Sequence, residues 1–248
     1  MNKMIAEKYK TATSRLILLD FDGTLADYSS IPGEAVPHKD AVELLQKLAA
    51  LPQTTLAVVS GRGSDSMDSL LPNLPIDIIA EHGAMIKQFN GWKQLTDDDG
   101  KWKQPVIEIL NEFTRRCQGS LTEEKRFGLA WHYRNCNEQQ GKKFSRELIR
   151  ELRNLIAPFH LKVTDAKMVV EINSNQINKA MAVDYFLSVN SFDYILCIGD
   201  DTTDEDMFHV LSGNRNAYTV KVGDGLTLAK YRVKAVEDVM NLLRNMSL

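Results

Sequence analysis

The sequence predicts an α/β fold: a doubly wound, Rossmann-like parallel-sheet core with a smaller α+β domain inserted into it. Three observations predict this. Short, strongly apolar runs alternate with amphipathic helical stretches in the first and last thirds of the 248 residues, polar residues gather directly after those runs, and the rhythm breaks between about residues 84 and 167. The core is therefore expected over 1–84 and 168–248, with the insert over 85–167.

The runs are Leu16–Leu19, Thr55–Val59, Ile76–Ala80, Tyr194–Ile198 and Ala217–Val222. Strongly apolar segments of this length, rich in β-branched residues and without alternation, predict strands covered on both faces. Between them, Asp40–Ala50 places Val42, Leu45, Leu48 and Ala49 on one side, and Lys179–Val189 and Glu237–Met246 are also helical. Strands alternating with helices give a parallel sheet. In the insert, "MIKQFNGWKQL" alternates around Asn90-Gly91, a dipeptide suited to a tight hairpin turn. A helix near Val106–Cys117, an alternating stretch "FGLAWHYR" and a helix near Lys142–Ile156 follow, the last with Phe144, Leu148, Leu152, Leu155 and Ile156 on one face.

Composition narrows the function. With 44% apolar and 25% charged residues and a net charge of −3, neither disorder nor a broad nucleic-acid footprint is expected. The three cysteines, Cys117, Cys136 and Cys197, show no C-x-x-C spacing, which argues against a disulfide framework or zinc site and for a reducing compartment. The N-terminus has no apolar signal region and no run approaches the ~18 apolar residues of a membrane span. A soluble, cytoplasmic protein without a membrane or nucleic-acid partner is expected.

The chemistry gathers where the strands end. "LLDFDGTL" closes the first run with Asp20 and Asp22, "VVSGR" the second with Ser60, Gly61 and Arg62, "IAEHG" the third with Glu81 and His82, and "CIGDD" the fourth with Asp200. Open α/β sheets bind ligands outside the carboxyl ends of their strands, so these clusters converge. Asp20 and Asp22, two apart on a strand, point to one side and suit attack on phosphorus by one carboxylate with proton exchange by the other; Asp and Gly are equally common at a plain strand-to-turn transition. Asp200, Asp201 and Asp204 add the oxygen ligands that Mg²⁺ takes, although carboxylates also favour a helix start. Thr203 and Asp206 have capping-box spacing. Lys179 opens a helix where it could meet a phosphate, and a lysine there is commonly a surface residue.

"DFDGT", Ser60, Lys179 and "GDDTTD", in this order, resemble the four motifs of the haloacid dehalogenase superfamily of phosphotransferases. "SGR", "AEHGA", "EEKRFGLAWHYR", "VVEIN…NKA" and "GDDTTDEDMF" are similar to the trehalose-6-phosphate phosphatase family, above all to phosphatase domains fused to trehalose-phosphate synthase, from about Leu16 to Tyr231. The resemblance implies a haloacid dehalogenase-type core whose insert is a substrate-specificity cap closing over the sugar. It implies Mg²⁺-dependent hydrolysis of trehalose 6-phosphate through an aspartyl-phosphate, with Asp20 as nucleophile and Asp22 as general acid/base. Mg²⁺ would be held by Asp20, the Asp22 carbonyl and Asp200, with Asp204 in support, and the phosphoryl group by Ser60, Gly61 and Lys179. Arg62, Glu81, His82, Lys125, His132, Arg134 and Glu171 would face the sugar. Association with a trehalose-phosphate synthase is also implied. The chain departs from the family pattern at Asn173-Ser174, where Arg-Pro is usual, and at Ala180, where Gly is usual. Phosphatase action on sucrose 6-phosphate or another glycosyl phosphate, and a non-catalytic sugar-phosphate sensor, are the competing readings.

Overall fold

The apolar runs become the middle of a sheet because each buries side chains on both faces. In the computed structural model, which describes residues 2–27, 35–156, 159–166 and 168–247, the chain divides into two units: residues 1–95 with 178–248, and 96–177.

The first unit carries an eight-stranded sheet. Its strands are β1 (Arg15–Asp20), β2 (Thr54–Val59), β3 (Asp77–Ala80), β4 (Met85–Gln88), β5 (Gly91–Gln94), β10 (Tyr194–Gly199), β11 (Ala217–Val222) and β12 (Tyr231–Val233). Their spatial order is β12-β11-β10-β1-β2-β3-β4-β5. The six strands from β12 to β3 run parallel, and β4 and β5 are antiparallel. Leu16 and Leu18 of β1, with Ile195 and Cys197 of β10, pack on Ala182, Val183 and Phe186 of α6 (Ala180–Val189) and on Met207, Phe208 and Leu211 of α7 (Glu205–Leu211). The intervening residues Ile17 and Leu19 are equally buried. Tyr194 meets Tyr9 of α1 (Asn2–Thr11) edge-on, and α8 (Val236–Ser247) packs on α1 and on α2 (Ala41–Ala49). The sheet is thus wound on both faces, and all five expected strands and three expected core helices are present. From β1 the chain builds outward to β5, then returns to build β10 to β12 on the other flank. The point where that direction reverses, between β1 and β10, is where open α/β sheets bind ligands.

The second unit is a four-stranded antiparallel sheet, β6-β7-β9-β8, from Leu121–Glu124, Gly128–His132, Val169–Ser174 and Leu161–Ala166. Two helices cover one face: α4 (Lys103–Arg116) and α5 (Glu138–Ile156). Leu129, Trp131, Val170 and Ile172 bury against Val106, Leu110, Phe113, Leu148 and Leu152. Period-2 alternation places Ala130, His132 and Glu171 on the opposite face.

Three features differ from expectation. The Asn90-Gly91 hairpin belongs to the large sheet rather than the insert, because β4 pairs antiparallel with β3 and so satisfies an edge that a parallel crossover would leave open. The strand in "FGLAWHYR" stops at His132, and Arg134 lies in the following turn, so alternation does not carry Arg134. Helices α1 and α3 (Ser64–Leu70) and strands β6, β8, β9 and β12 were not expected; α1 buries only Ile5, Ala6 and Tyr9, too sparse a pattern to read from sequence. No described helix is long and apolar enough to cross a membrane.

Candidate active site

The first unit brings ten of the expected residues to the carboxyl ends of its central strands. β1 ends on Asp20, which is 4% exposed. Its Oδ1 accepts a hydrogen bond from Lys179 Nζ at 2.5 Å, and the same ammonium donates to Asp204 Oδ1 at 2.8 Å. Lys179 caps the start of α6 and is 3% exposed, so it is not a surface lysine.

Asp204 has no exposure and both its oxygens are engaged: Oδ2 accepts from the backbone N–H groups of Asp200 and Asp201, each at 2.9 Å. Asp201 and Asp204 form a capping box around the 3-10 turn Thr202–Asp204 that leads into α7. This corrects the expected Thr203–Asp206 box: the helix begins one tight turn earlier, so the reciprocal bonds fall two residues upstream. It also fixes Asp201 as a cap.

Two glycines make the crowding possible. Gly23 has φ +81, and a Cβ there would lie 2.5 Å from the Asp200 carboxyl carbon. At Gly199 a Cβ would collide with the Asp204 carboxyl. Each carboxylate occupies the volume of an absent side chain.

Asp22 lies beyond the end of β1, in a turn closed by Gly23 N–H donating to the Ala26 carbonyl at 2.7 Å. The two aspartates therefore do not share one strand face. Asp22 is instead gripped by Arg62, whose Nε donates to Oδ2 at 2.7 Å and whose guanidinium donates to Oδ1 at 2.6 Å. Arg62, expected on the sugar, here grips this carboxylate. Its own N–H donates to Ser60 Oγ at 3.1 Å. Ser60 is buried, and its carbonyl accepts from His82 N–H, while the Arg62 carbonyl accepts from Glu81 N–H. Glu81 and His82 both adopt positive φ, 48° and 57°, a strained pair that turns the chain so the His82 ring lies over Gly61.

Lys221 is a site neighbour the sequence reading missed. It is 4% exposed at the end of β11 and donates to the Asp201 carbonyl at 3.2 Å, with Glu205 Oε1 3.6 Å away. Nothing in the run Ala217–Val222 marks its one lysine as buried.

The charges explain the electrostatics. Asp20, Asp200 and Asp204 offer carboxylate oxygens within 4.8 Å of one another, and the Lys179 ammonium bridges Asp20 and Asp204. Burial, then the Asp204 charge, raises the Asp20 carboxyl well above the ordinary range despite the lysine. Burial works against the Lys179 charge, but Asp20 and Asp204 outweigh it and raise its pKa. Hard oxygen donors carrying excess negative charge fit a divalent cation such as Mg²⁺. Asp204, already fully hydrogen-bonded, is placed to brace such a site rather than to ligate directly.

In the second unit the sheet face away from the helices carries His132 and Glu171, Lys125 lies in the turn between β6 and β7, and Arg134 lies in the turn after β7. His132 Nε2 lies 2.7 Å from Glu123 Oε2, and Lys125 Nζ donates to Glu171 Oε1 at 3.3 Å. Glu123 was not among the expected residues; the hydrogen bond with His132 lowers its pKa. Its register opposite Ala130, unknowable before the strands are paired, puts it on this face. Asn173, at the departure from the family pattern, is opposite Gly128.

A family model described as trehalose-phosphatase matches residues 18–237. The bifunctional trehalose-6-phosphate synthase/phosphatase of Thermoproteus tenax is 42% identical, the alignment covering 99% of this chain and 34% of that protein. The trehalose-phosphatase of Saccharomyces cerevisiae is 32% identical over 97% of this chain and 32% of its own length. The chain thus spans about a third of the curated relatives it matches. Among solved structures, the C-terminal domain of the C. albicans trehalose-6-phosphate phosphatase superposes with a TM-score of 0.91 at 26% identity, covering 99% of this chain and 96% of that one.

Proposed function

Because the chain belongs to the trehalose-phosphatase family, we propose that it hydrolyses trehalose 6-phosphate to trehalose and phosphate through an aspartyl-phosphate on Asp20. The observation that carries this reading is the buried Asp20, held by Lys179 and flanked by Asp200 and Asp204 at the sheet's switch point. In the first step an Asp20 oxygen attacks phosphorus, the bond from phosphorus to the sugar oxygen breaks, and Asp22 delivers a proton to that oxygen. In the second, Asp22 takes a proton from water as the water attacks phosphorus, freeing phosphate and restoring Asp20. Lys179, Ser60 and Gly61 hold the phosphoryl oxygens, and Arg62 keeps the Asp22 carboxylate in one orientation. Asp20, the Asp22 carbonyl and Asp200, with Asp204 behind them, would hold Mg²⁺, which would supply countercharge to the phosphoryl group.

We assign the second unit the role of a substrate-specificity cap: Lys125, His132, Arg134 and Glu171 contact the sugar, as do Glu81 and His82 of the first unit. The name of the Thermoproteus tenax relative supports association with a trehalose-phosphate synthase, in one chain or as a separate partner.

A phosphate-release panel with Mg²⁺ tests the reading. Trehalose 6-phosphate is expected to exceed sucrose 6-phosphate and glucose 6-phosphate in kcat/KM by at least about ten-fold. Equal rates would reject the substrate, and no release from any of the three would reject the phosphatase.

Cation binding has its own readout. Millimolar Mg²⁺ is expected to raise the thermal midpoint, because it binds the folded cluster and not the unfolded chain. Since the Asp20 pKa is raised, protons hold that carboxyl to higher pH than in the free side chain, and a cation must displace them. The midpoint gain should therefore grow from mildly acidic to mildly alkaline buffer; a gain independent of pH would contradict the assignment of Asp20 to the cation.

A further inference from the structure

We propose that Cys117 and Cys136 form a reversible intramolecular disulfide in the second unit, closing the β6–β7 hairpin into a covalent loop. Their sulfurs lie 3.3 Å apart, although the two residues are 19 positions apart in sequence. Bonding at the usual S–S length needs an approach of about 1.3 Å.

Both ends are already fixed. Cys117 caps α4, its N–H donating to the Phe113 carbonyl and its own carbonyl accepting from Ser120 N–H and Oγ at 3.1 and 2.7 Å. Cys136 N–H donates to the Tyr133 carbonyl at 3.1 Å. The turns meet at Gly119, whose φ is +92 and whose missing side chain makes room for the Asn135 carbonyl. The pair is thus held together by backbone on each side, not by chance side-chain contact.

A metal is the competing use of two thiols. They supply only half of a tetrahedral set, and among the described residues the one group of three or more potential ligands is Asp20, Asp200 and Asp204. Cys197 is buried in the other unit's core and serves as an internal control.

The oxidant is a low-molecular-weight disulfide such as oxidised glutathione. The half-buried Cys136 loses its proton and attacks one glutathione sulfur, giving a mixed disulfide and one glutathione thiol. Cys117 loses its proton and attacks the Cys136 sulfur, releasing the second glutathione. The protein loses two electrons and two protons, and the oxidant is reduced to two thiols. Burial, then Cys117, pushes the Cys136 thiol up to about 12, so thiolate is scarce at neutral pH and exchange is slow. A single pair answering to thiol poise is also compatible with a reducing compartment, where a structural disulfide framework is not.

The closed loop contains β6 and β7, with Lys125 and His132, so bond formation restrains the hairpin that carries them. Incubating the whole chain in glutathione redox buffers, without substrate, tests the proposal independently of turnover. Expected are a fall in free thiols from three to one, a cross-linked peptide pair containing Cys117 and Cys136, and a thermal midpoint higher by several degrees, all reversed by dithiothreitol. Cys136→Ser and Cys117→Ser should each remove the cross-link, and Cys197→Ser should not. A stable glutathione adduct on Cys136 without the cross-link, or three thiols persisting, would overturn the proposal; a cross-link with no rise in midpoint would overturn the restraint on the hairpin.

Discussion

Asp20→Asn is expected to lower kcat by at least about a thousand-fold, because the amide cannot attack phosphorus and no other carboxylate lies in its place. The second half of the expectation separates chemistry from folding. Burial, then the Asp204 charge, raises the Asp20 pKa, so a neutral isostere removes both a desolvation cost and a repulsion. Without cation, the variant should match or exceed the parent in thermal midpoint, and Mg²⁺ should raise its midpoint less. Retained turnover would refute the nucleophile; lost turnover together with a lower midpoint would mean that Asp20 acts by holding the fold.

Lys179→Met is the second large effect, and its sign on stability is opposite. The ammonium bridges Asp20 and Asp204, both buried. Removing it leaves two carboxylates facing each other without countercharge, a loss of about 3–5 kcal/mol for a broken buried pair. Turnover should fall with it, since the phosphoryl group loses its cationic contact. Urea unfolding of the single and double variants decides the cause. If the loss is electrostatic, adding Asp20→Asn to Lys179→Met restores part of the stability, a coupling of about 1 kcal/mol or more. If the double variant is no more stable than Lys179→Met alone, the lysine contributes through packing.

The sheet's centre was legible in sequence because burial on both faces leaves no alternative to a short apolar run: β1, β2, β3, β10 and β11 are found where those runs lie. The site's location followed from the same pattern, since polar residues after such runs converge at strand ends. What could not be read depends on pairing or on exposure. Asp20 and Asp22 look equivalent as i and i+2, yet the strand ends between them, one meeting Lys179 and the other Arg62. Lys179 and Lys221 look like any surface lysines until their strands and helices pack. Glu123 is aligned with His132 and Glu171 only through the register of β6 on β7 and β7 on β9. The Asn90-Gly91 turn was visible, but a hairpin does not announce which sheet it will extend.

The strand order has a consequence for how the molecule is made. β1 leaves the ribosome early and can pair with β2, yet its other neighbour, β10, is synthesised only after the whole second unit. Until then β1 presents an open edge around the apolar run Leu16–Leu19, the kind of surface on which nascent chains associate wrongly. The partner of Asp20, 159 residues downstream, comes late as well. Asp20 is thus made early, and its countercharge arrives as the unprotected edge is about to be covered. Burying Asp20 and sealing the sheet become one late event, and a chain truncated before β10 has neither a closed sheet nor a complete site.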